Sequence, residues 1–135
     1  MTTTMTMKMT TINKQHIPLF ILTGLVILVL DGVFIYTQRN YFNNQIKVVQ
    51  GSEISPDTLA IVLTYLVIIF GLYYFIIRER RSIMDAALFG FSMYALYELT
   101  TKSLFKNWRW KTVIMDTTWG ALLFALTTFI VYKLM

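Results

Sequence analysis

Four long apolar runs constrain this chain more than any other feature of its sequence. Each is about 21 residues long, and they cover residues 17–37, 57–77, 83–103 and 112–132. At 1.5 Å per residue, a helix of that length crosses the roughly 30 Å hydrocarbon core of a bilayer. The runs are too long for barrel strands and do not alternate apolar with polar residues. Because lipid cannot satisfy open backbone groups, we predict an all-α fold, a four-helix transmembrane bundle.

The charge content and its placement define the expected surroundings of the chain. Only 14% of the residues are charged, whereas soluble domains carry about 25%. The net charge of +5 is compatible with nucleic-acid binding, but the basic residues lie at the ends of the apolar runs, where they would meet lipid headgroups. We therefore expect membrane lipid as the partner and no nucleic acid. Cysteine is absent, so a disulfide framework and a thiolate metal site are both excluded.

The apolar runs also divide the chain and predict its topology. Residues 1–16 are polar and rich in Thr and Met, which predicts a disordered tail before a membrane domain over residues 17–135. We expect the first run to remain as an anchor, because no small-residue cleavage site accompanies it. Four spans place both termini on one side, here called side A, with the loops 38–55 and 102–111 on side B. The basic residues divide six to six between the sides, and the Arg-rich turn 78–81 favours a cytoplasmic side A.

Short local signals predict where helices begin and where the chain meets the membrane surface. Ser55 is the predicted N-cap of the second helix, with Pro56 at its first position. Ser82 and Asp85 have the spacing of a capping box at the start of the third. Trp108 and Trp110 are expected in an interfacial aromatic belt.

Three acids interrupt the apolar runs at one depth. Asp31, Glu98 and Asp116 lie about 9, 8 and 6 Å from the side B ends of their runs, counted at 1.5 Å per residue. A charge in the middle of a membrane costs about 2.5–3.5 kcal/mol on insertion scales, so such residues usually face an interior or a cavity. Each acid alone has an ordinary explanation, an N-cap for Asp116 and snorkelling to side B for the other two. Their coincidence in depth favours a shared pocket.

Polar and aromatic side chains near these acids complete the predicted site. Tyr94 and Thr101 share the helical face of Glu98, and Trp119 lies one turn beyond Asp116. Carboxylates crowded together cannot all stay ionised without cations, so the site is expected to hold a proton, a small cation or a divalent metal on the three acids. The predicted ligand- or ion-binding residues are Asp31, Tyr94, Tyr97, Glu98, Thr101, Asp116 and Trp119.

Four functions are compatible with such a site. The first is a small transporter or an ion- or proton-conducting protein. The second is a binding protein for a lipid or apolar cofactor, and the third is a membrane enzyme with a metal on the carboxylates. The enzyme ranks low because no nucleophile motif, zinc motif or phosphate-binding loop is present and His16 is the only histidine, so no particular cofactor is indicated. The fourth is a structural scaffold. A homodimer is expected, because four helices alone enclose little space.

The segments "LDGVFIY", "YALYELT" and "DTTWG" resemble a family of predicted four-span membrane proteins of unknown function. That family carries D-x-x-W in helix one, Y-x-x-Y-D-L-T-N in helix three and D-x-x-W-G in helix four. Phe34, Glu98 and Thr101 stand where Trp, Asp and Asn are usual. The resemblance implies the four-helix architecture, and it does not indicate an activity. The positions it carries over are Asp31, Tyr41, Tyr94, Tyr97, Glu98, Leu99, Thr100, Asp116, Trp119 and Gly120.

Overall fold

The computed structural model of the chain describes residues 16–135 with their side chains. The predicted disordered tail, residues 1–16, lies outside this range apart from His16, so that prediction is not tested. Over the described range the chain folds into five α-helices and no strand, which confirms the all-α prediction. The elements are α1 (Thr2–Thr37, described from His16), α2 (Arg39–Gln50), α3 (Thr58–Leu72) with a π-helical turn (Tyr73–Ile77), α4 (Ile83–Leu104) and α5 (Trp110–Leu134).

Three of these helices are long and apolar enough to cross a membrane within the range described. They are His16–Thr37, Thr58–Ile77 and Trp110–Leu134. The third predicted run, residues 83–103, forms helix α4 with 22 residues, which is not among these three candidate spans. It is less apolar than the others because it contains Asp85, Glu98 and Lys102.

Helix α2 was not expected, since the segment 38–55 was predicted to be a loop. Its apolar residues lie on one face, and its opposite face is polar and exposed, as in a helix that lies along a membrane surface. It escapes a search for spans because it has only 12 residues and is polar on average. Gly51 ends it in a left-handed conformation, with φ of 77°, that favours glycine.

The two predicted helix starts have different outcomes. Ser82 caps α4 as expected, because its hydroxyl accepts a hydrogen bond from the backbone N–H of Asp85 at 3.0 Å. The prediction of Ser55 as the cap of the second helix was wrong. Asp57 is the N-cap of α3, and its carboxylate accepts from the N–H of Ala60 at 3.1 Å. Ser and Asp are about equally favoured as N-cap residues, so the sequence alone does not predict which of Ser55 and Asp57 caps α3.

Helix α1 packs between α3 and α5, and the most extensive helix contact is that of α4 with α5. Two glycines bring α4 and α5 together. A Cβ on Gly90 would lie 2.8 Å from the Cβ of Phe124 and would collide with the carbonyl of Gly120. A Cβ on Gly120 would collide with the ring of Tyr94. Small residues allow the close backbone approach that drives helix association in lipid.

The surface is far more apolar than that of a water-soluble protein, and the interior contains polar residues beside its apolar core. Large apolar side chains are exposed along the outer faces of α1, α3 and α5, including Leu25, Leu66 and Leu122. Acids, an amide and hydroxyls are buried together with apolar side chains. The buried polar residues are Thr23, Asp31, Gln45, Glu98, Thr112, Thr117, Thr127 and Thr128. Such a molecule requires an apolar surrounding phase.

Candidate functional site

The helix boundaries place the three acids at matching positions. Asp31 lies six residues before the end of α1, and Glu98 lies six residues before the end of α4. Asp116 lies six residues after the start of α5. Six residues correspond to about 9 Å along a helix axis. The equal spacing agrees with the depth predicted from the apolar runs.

Asp31 is held by two neutral aromatic donors from two other helices. Its Oδ2 accepts from the hydroxyl of Tyr65 on α3 at 2.5 Å, and its Oδ1 accepts from Nε1 of Trp119 on α5 at 2.9 Å. Phe34, one turn after Asp31, stacks on the indole of Trp119 with ring centroids 4.5 Å apart. This stack fixes the direction of the indole N–H. Asp31 therefore ties α1, α3 and α5 together at one point.

Glu98 is the most completely buried acid, with 1% of its surface exposed. Its Oε2 accepts from Nε1 of Trp108 at 2.7 Å. Trp108 belongs to the short connection between α4 and α5, and its side chain is 5% exposed. The expectation that Trp108 lies in an interfacial belt was therefore wrong. Trp110 is 60% exposed, as an interfacial residue would be.

Asp116 is half-buried and lies beside Glu98, with Asp31 as a further carboxyl neighbour. Helices α4 and α5 bring Glu98 and Asp116 together, because Tyr94 packs on Gly120 and each acid lies one turn further along its helix in the same direction. A hydrogen bond between two carboxyl groups requires a proton on one of them. Glu98 and Asp116 are here called the carboxyl pair.

The other predicted site residues differ in their relation to the acids. Tyr94 packs against Gly120 and lies near Asp31 and Asp116. Tyr97 is near Glu98 and Asp116, although 60% of its surface is exposed. Thr101 directs its hydroxyl to its own helix, where it donates to the carbonyl of Tyr97 at 2.8 Å. Thr101 therefore supports α4 rather than contacting an acid.

Cations do not neutralise the acids among residues 16–135. The ion pairs found there are all between partly or fully exposed side chains, namely Lys47–Glu53, Arg78–Glu79 and Arg81–Asp85. The basic residues nearest the side B rim stack on aromatic rings instead. Arg39 lies over Tyr36 at 4.1 Å, and Lys102 lies over Trp110 at 5.6 Å.

The arrangement of the acids also bears on metal binding. Within the part of the chain that the structure describes, no group of three His, Cys, Asp or Glu side chains is arranged to hold one metal ion. Thr117, in the same turn as Asp116, has a buried hydroxyl with no hydrogen-bond partner among those residues.

Sequence reasoning missed a polar network centred on Gln45 of α2. The Oε1 of this buried side chain accepts from the hydroxyl of Thr112 at 2.7 Å and from the N–H of Arg109 at 3.1 Å. Its Nε2 donates to the carbonyl of Asn107 at 3.0 Å. Tyr41 shares a hydrogen bond of 2.7 Å with the hydroxyl of Thr112. The network fastens α2 across the α4–α5 connection that carries Trp108, and its one signal in the sequence is the amphipathic pattern of α2.

Apolar helices of spanning length, an apolar exterior and acids buried in the interior define the class: this is a helical membrane protein with a polar cluster among its helices. The sequence model of the family described as "Predicted membrane protein (DUF2177)" matches residues 16–133. The chain belongs to this family, which confirms the resemblance to a family of predicted membrane proteins. No curated protein and no solved structure matches the chain.

Proposed function

We propose that this protein is a small transporter or conducting protein for protons or small cations, with the carboxyl pair as its binding site. In this proposal the chain crosses the membrane four times, through α1, α3 with its π-helical turn, α4 and α5. Helix α4 has 22 residues, enough to span at 1.5 Å per residue. Its polar residues do not preclude a span, because Glu98 is buried against protein.

The observation that carries the proposal is that Glu98 and Asp116 are neighbours and that neither acid forms an ion pair among residues 16–135. Two neighbouring carboxyl groups in a medium of low dielectric constant repel each other when both are ionised. A proton or a cation between them removes that repulsion. Intramembrane acids that pair in this way recur in proton relays and ion pathways.

Asp31 has a different role in this proposal. Its two oxygens already accept from Tyr65 and Trp119, so its hydrogen-bonding needs are met without an added ion. It contributes negative potential to the carboxyl pair and fixes the helices around it. Tyr94 is a neighbour of both Asp31 and Asp116. The buried hydroxyl of Thr117 is available as an additional oxygen ligand.

A homodimer would give the site a path through the membrane. Leu96 and Tyr97 are 72% and 60% exposed, yet Glu98 beside them is buried. The outer face of α4 thus runs past the carboxyl pair. We place the dimer contact on this face, so that the path from the pair continues between two protomers. Both termini lie on side A, the cytoplasmic side in this topology.

The test is flux in liposomes that contain the purified full chain and a trapped pH-sensitive dye. A potassium gradient with a potassium ionophore drives proton entry. Separate sodium and potassium gradients with a protonophore test cation movement, because cation entry then drives protons out and the dye reports the change in pH. We expect uptake by the wild type to fall at least tenfold in Glu98→Gln and Asp116→Asn. Glu53→Gln is the matched control, because Glu53 is an exposed acid. Wild-type vesicles that match empty vesicles under every gradient would refute the proposal.

The competing functions predict other results. A metal-dependent enzyme would bind a divalent cation at the acids without flux. The pairing of two acids, rather than a group of three, favours it less than transport. A scaffold would show neither binding nor flux, while Glu98→Gln would impair only assembly. A binding protein for an apolar ligand would retain that ligand through purification and lose it in Glu98→Gln.

A further inference from the structure

A second site lies on side A, far along the helices from the carboxyl pair. A groove of about 410 Å³ runs between the start of the described part of α1 and the π-helical turn. This volume falls in the range of roughly 300–1,000 Å³ that is usual for ligand sites. Its walls are mainly apolar and aromatic, and His16 and Arg78 provide the polar groups at its edge. The lining residues are His16, Ile17, Phe20, Phe70, Tyr73, Tyr74 and Arg78.

The π-helical turn produces the polar end of this groove. The N–H of Arg78 donates to the carbonyl of Tyr73 at 2.8 Å, which closes a turn one residue wider than an α-helical turn. The guanidinium of Arg78 lies 3.9 Å over the ring of Tyr74, four residues earlier in the chain. Tyr73 is buried, and its hydroxyl is hydrogen-bonded to Nδ1 of His16. Single π turns inside α-helices occur frequently at functional sites.

The Arg-rich turn beside the groove carries an excess of positive charge. Residues 78–81 contain three arginines and one glutamate. Arg78 pairs with Glu79 at 2.8 Å, and Arg81 reaches Asp85 at 3.4 Å. Exposed pairs of this kind contribute only about 0–1 kcal/mol, so an anion can displace Glu79 from Arg78. The turn itself is held in place, because the hydroxyl of Tyr132 donates to the carbonyl of Arg81 at 2.6 Å.

We propose that this groove binds an anionic phospholipid, with one acyl chain along Phe20 and Phe70 and the phosphate at Arg78. The apolar walls suit an acyl chain and do not suit a free inorganic anion. The guanidinium fork matches phosphate oxygens, and its place at the end of the spanning segment is the depth of the headgroups. The occupant is therefore a lipid of net negative charge, distinct from the proton or cation at the carboxyl pair.

The test is native mass spectrometry of the full chain released from neutral detergent with added lipid. The probes are dioleoyl phosphatidylglycerol, dioleoyl phosphatidylcholine and dihexanoyl phosphatidylglycerol, with inorganic phosphate as a fourth arm. We expect the wild type to bind the long-chain anionic lipid at least tenfold more tightly than the other three. Equal affinity for phosphatidylcholine, or for inorganic phosphate, would overturn the proposal.

Two variants with matched controls locate the site. Arg78→Gln should weaken binding of long-chain phosphatidylglycerol about tenfold or more, as expected for loss of a charge-assisted contact. Arg39→Gln should change it less than twofold, because Arg39 also stacks on a tyrosine but is the first residue of α2, away from the groove. Phe70→Ala should weaken binding, and Phe129→Ala, of similar exposure, should not. If the control variant in either pair loses as much affinity as its partner, the lipid does not bind in this groove.

Discussion

The indole N–H of Trp108 donates to Glu98 at 2.7 Å, and both side chains are almost completely buried. Trp108 belongs to the short connection between α4 and α5, but its side chain is buried among the helices and contacts Glu98. This hydrogen bond fixes Oε2 of Glu98, the acid that neighbours Asp116. The α4–α5 connection is consequently part of the site and not a simple linker.

Trp108→Phe should destabilise the protein more than Trp110→Phe. The first substitution leaves a buried carboxyl oxygen without its donor, which costs about 1–3 kcal/mol. The second affects a ring that is 60% exposed and should change the free energy of unfolding by less than about 0.5 kcal/mol. Thermal unfolding in detergent measures both. Equal effects would show that the bond between Trp108 and Glu98 does not contribute.

Loss of either donor to Asp31 should loosen the junction of α1, α3 and α5. Hydrogen bonds between membrane helices average about 0.6 kcal/mol, and bonds to charged groups are stronger. We therefore expect about 1–2 kcal/mol for Trp119→Phe, which keeps the stack on Phe34, and for Tyr65→Phe. The double variant should cost less than the sum, since both donors serve one carboxylate. Strict additivity in a double-mutant cycle would argue against this shared acceptor.

Gly120→Ala and Gly32→Ala should have opposite signs. A methyl group at Gly120 collides with the Tyr94 ring, so overpacking should cost about 1–3 kcal/mol. Gly32 has no heavy atom within 4 Å of an added Cβ. Alanine there should stabilise α1 by up to about 1 kcal/mol through helix propensity. The free energy of unfolding of both variants, measured in the same detergent, tests this. A Gly120→Ala variant as stable as the wild type would contradict the close packing of α4 on α5.

Gln45→Ala should release α2 from the α4–α5 connection. It leaves the hydroxyl of Thr112, the N–H of Arg109 and the carbonyl of Asn107 without their shared partner. Backbone amides of α2 should then exchange hydrogen about ten times faster or more, as for a loss of about 1.4 kcal/mol. Asn44→Ala is the control, because Asn44 is exposed on the same helix. Unchanged exchange in both variants would mean that Gln45 does not hold α2.

Reporter fusions at the two termini should give the same accessibility. Four spans return the chain to the side on which it started, and this follows only if α4 crosses the membrane. Three helices meet the length and apolarity needed for crossing. Opposite accessibility of the termini would therefore indicate that α4 does not span.

The sequence by itself determined the helices and the distance of each acid from the end of its helix. Length and apolarity are local properties, and counting residues at 1.5 Å each placed Asp31, Glu98 and Asp116 close to one level. The predicted segments 17–37, 57–77, 83–103 and 112–132 therefore agree with the observed helices to within a few residues wherever the structure describes them.

Only the tertiary structure decided which groups meet at that level. The side chain of Trp108 is amphipathic and suits both an interfacial belt and a buried hydrogen bond. The packing of the helices buries it, and it donates to Glu98. Gln45 looked like an ordinary polar residue, because its partners lie more than 60 positions away in the chain. Helical periodicity predicts which face of its helix a residue occupies. The identity of the neighbour on that face depends on how the helices pack, which no local pattern contains.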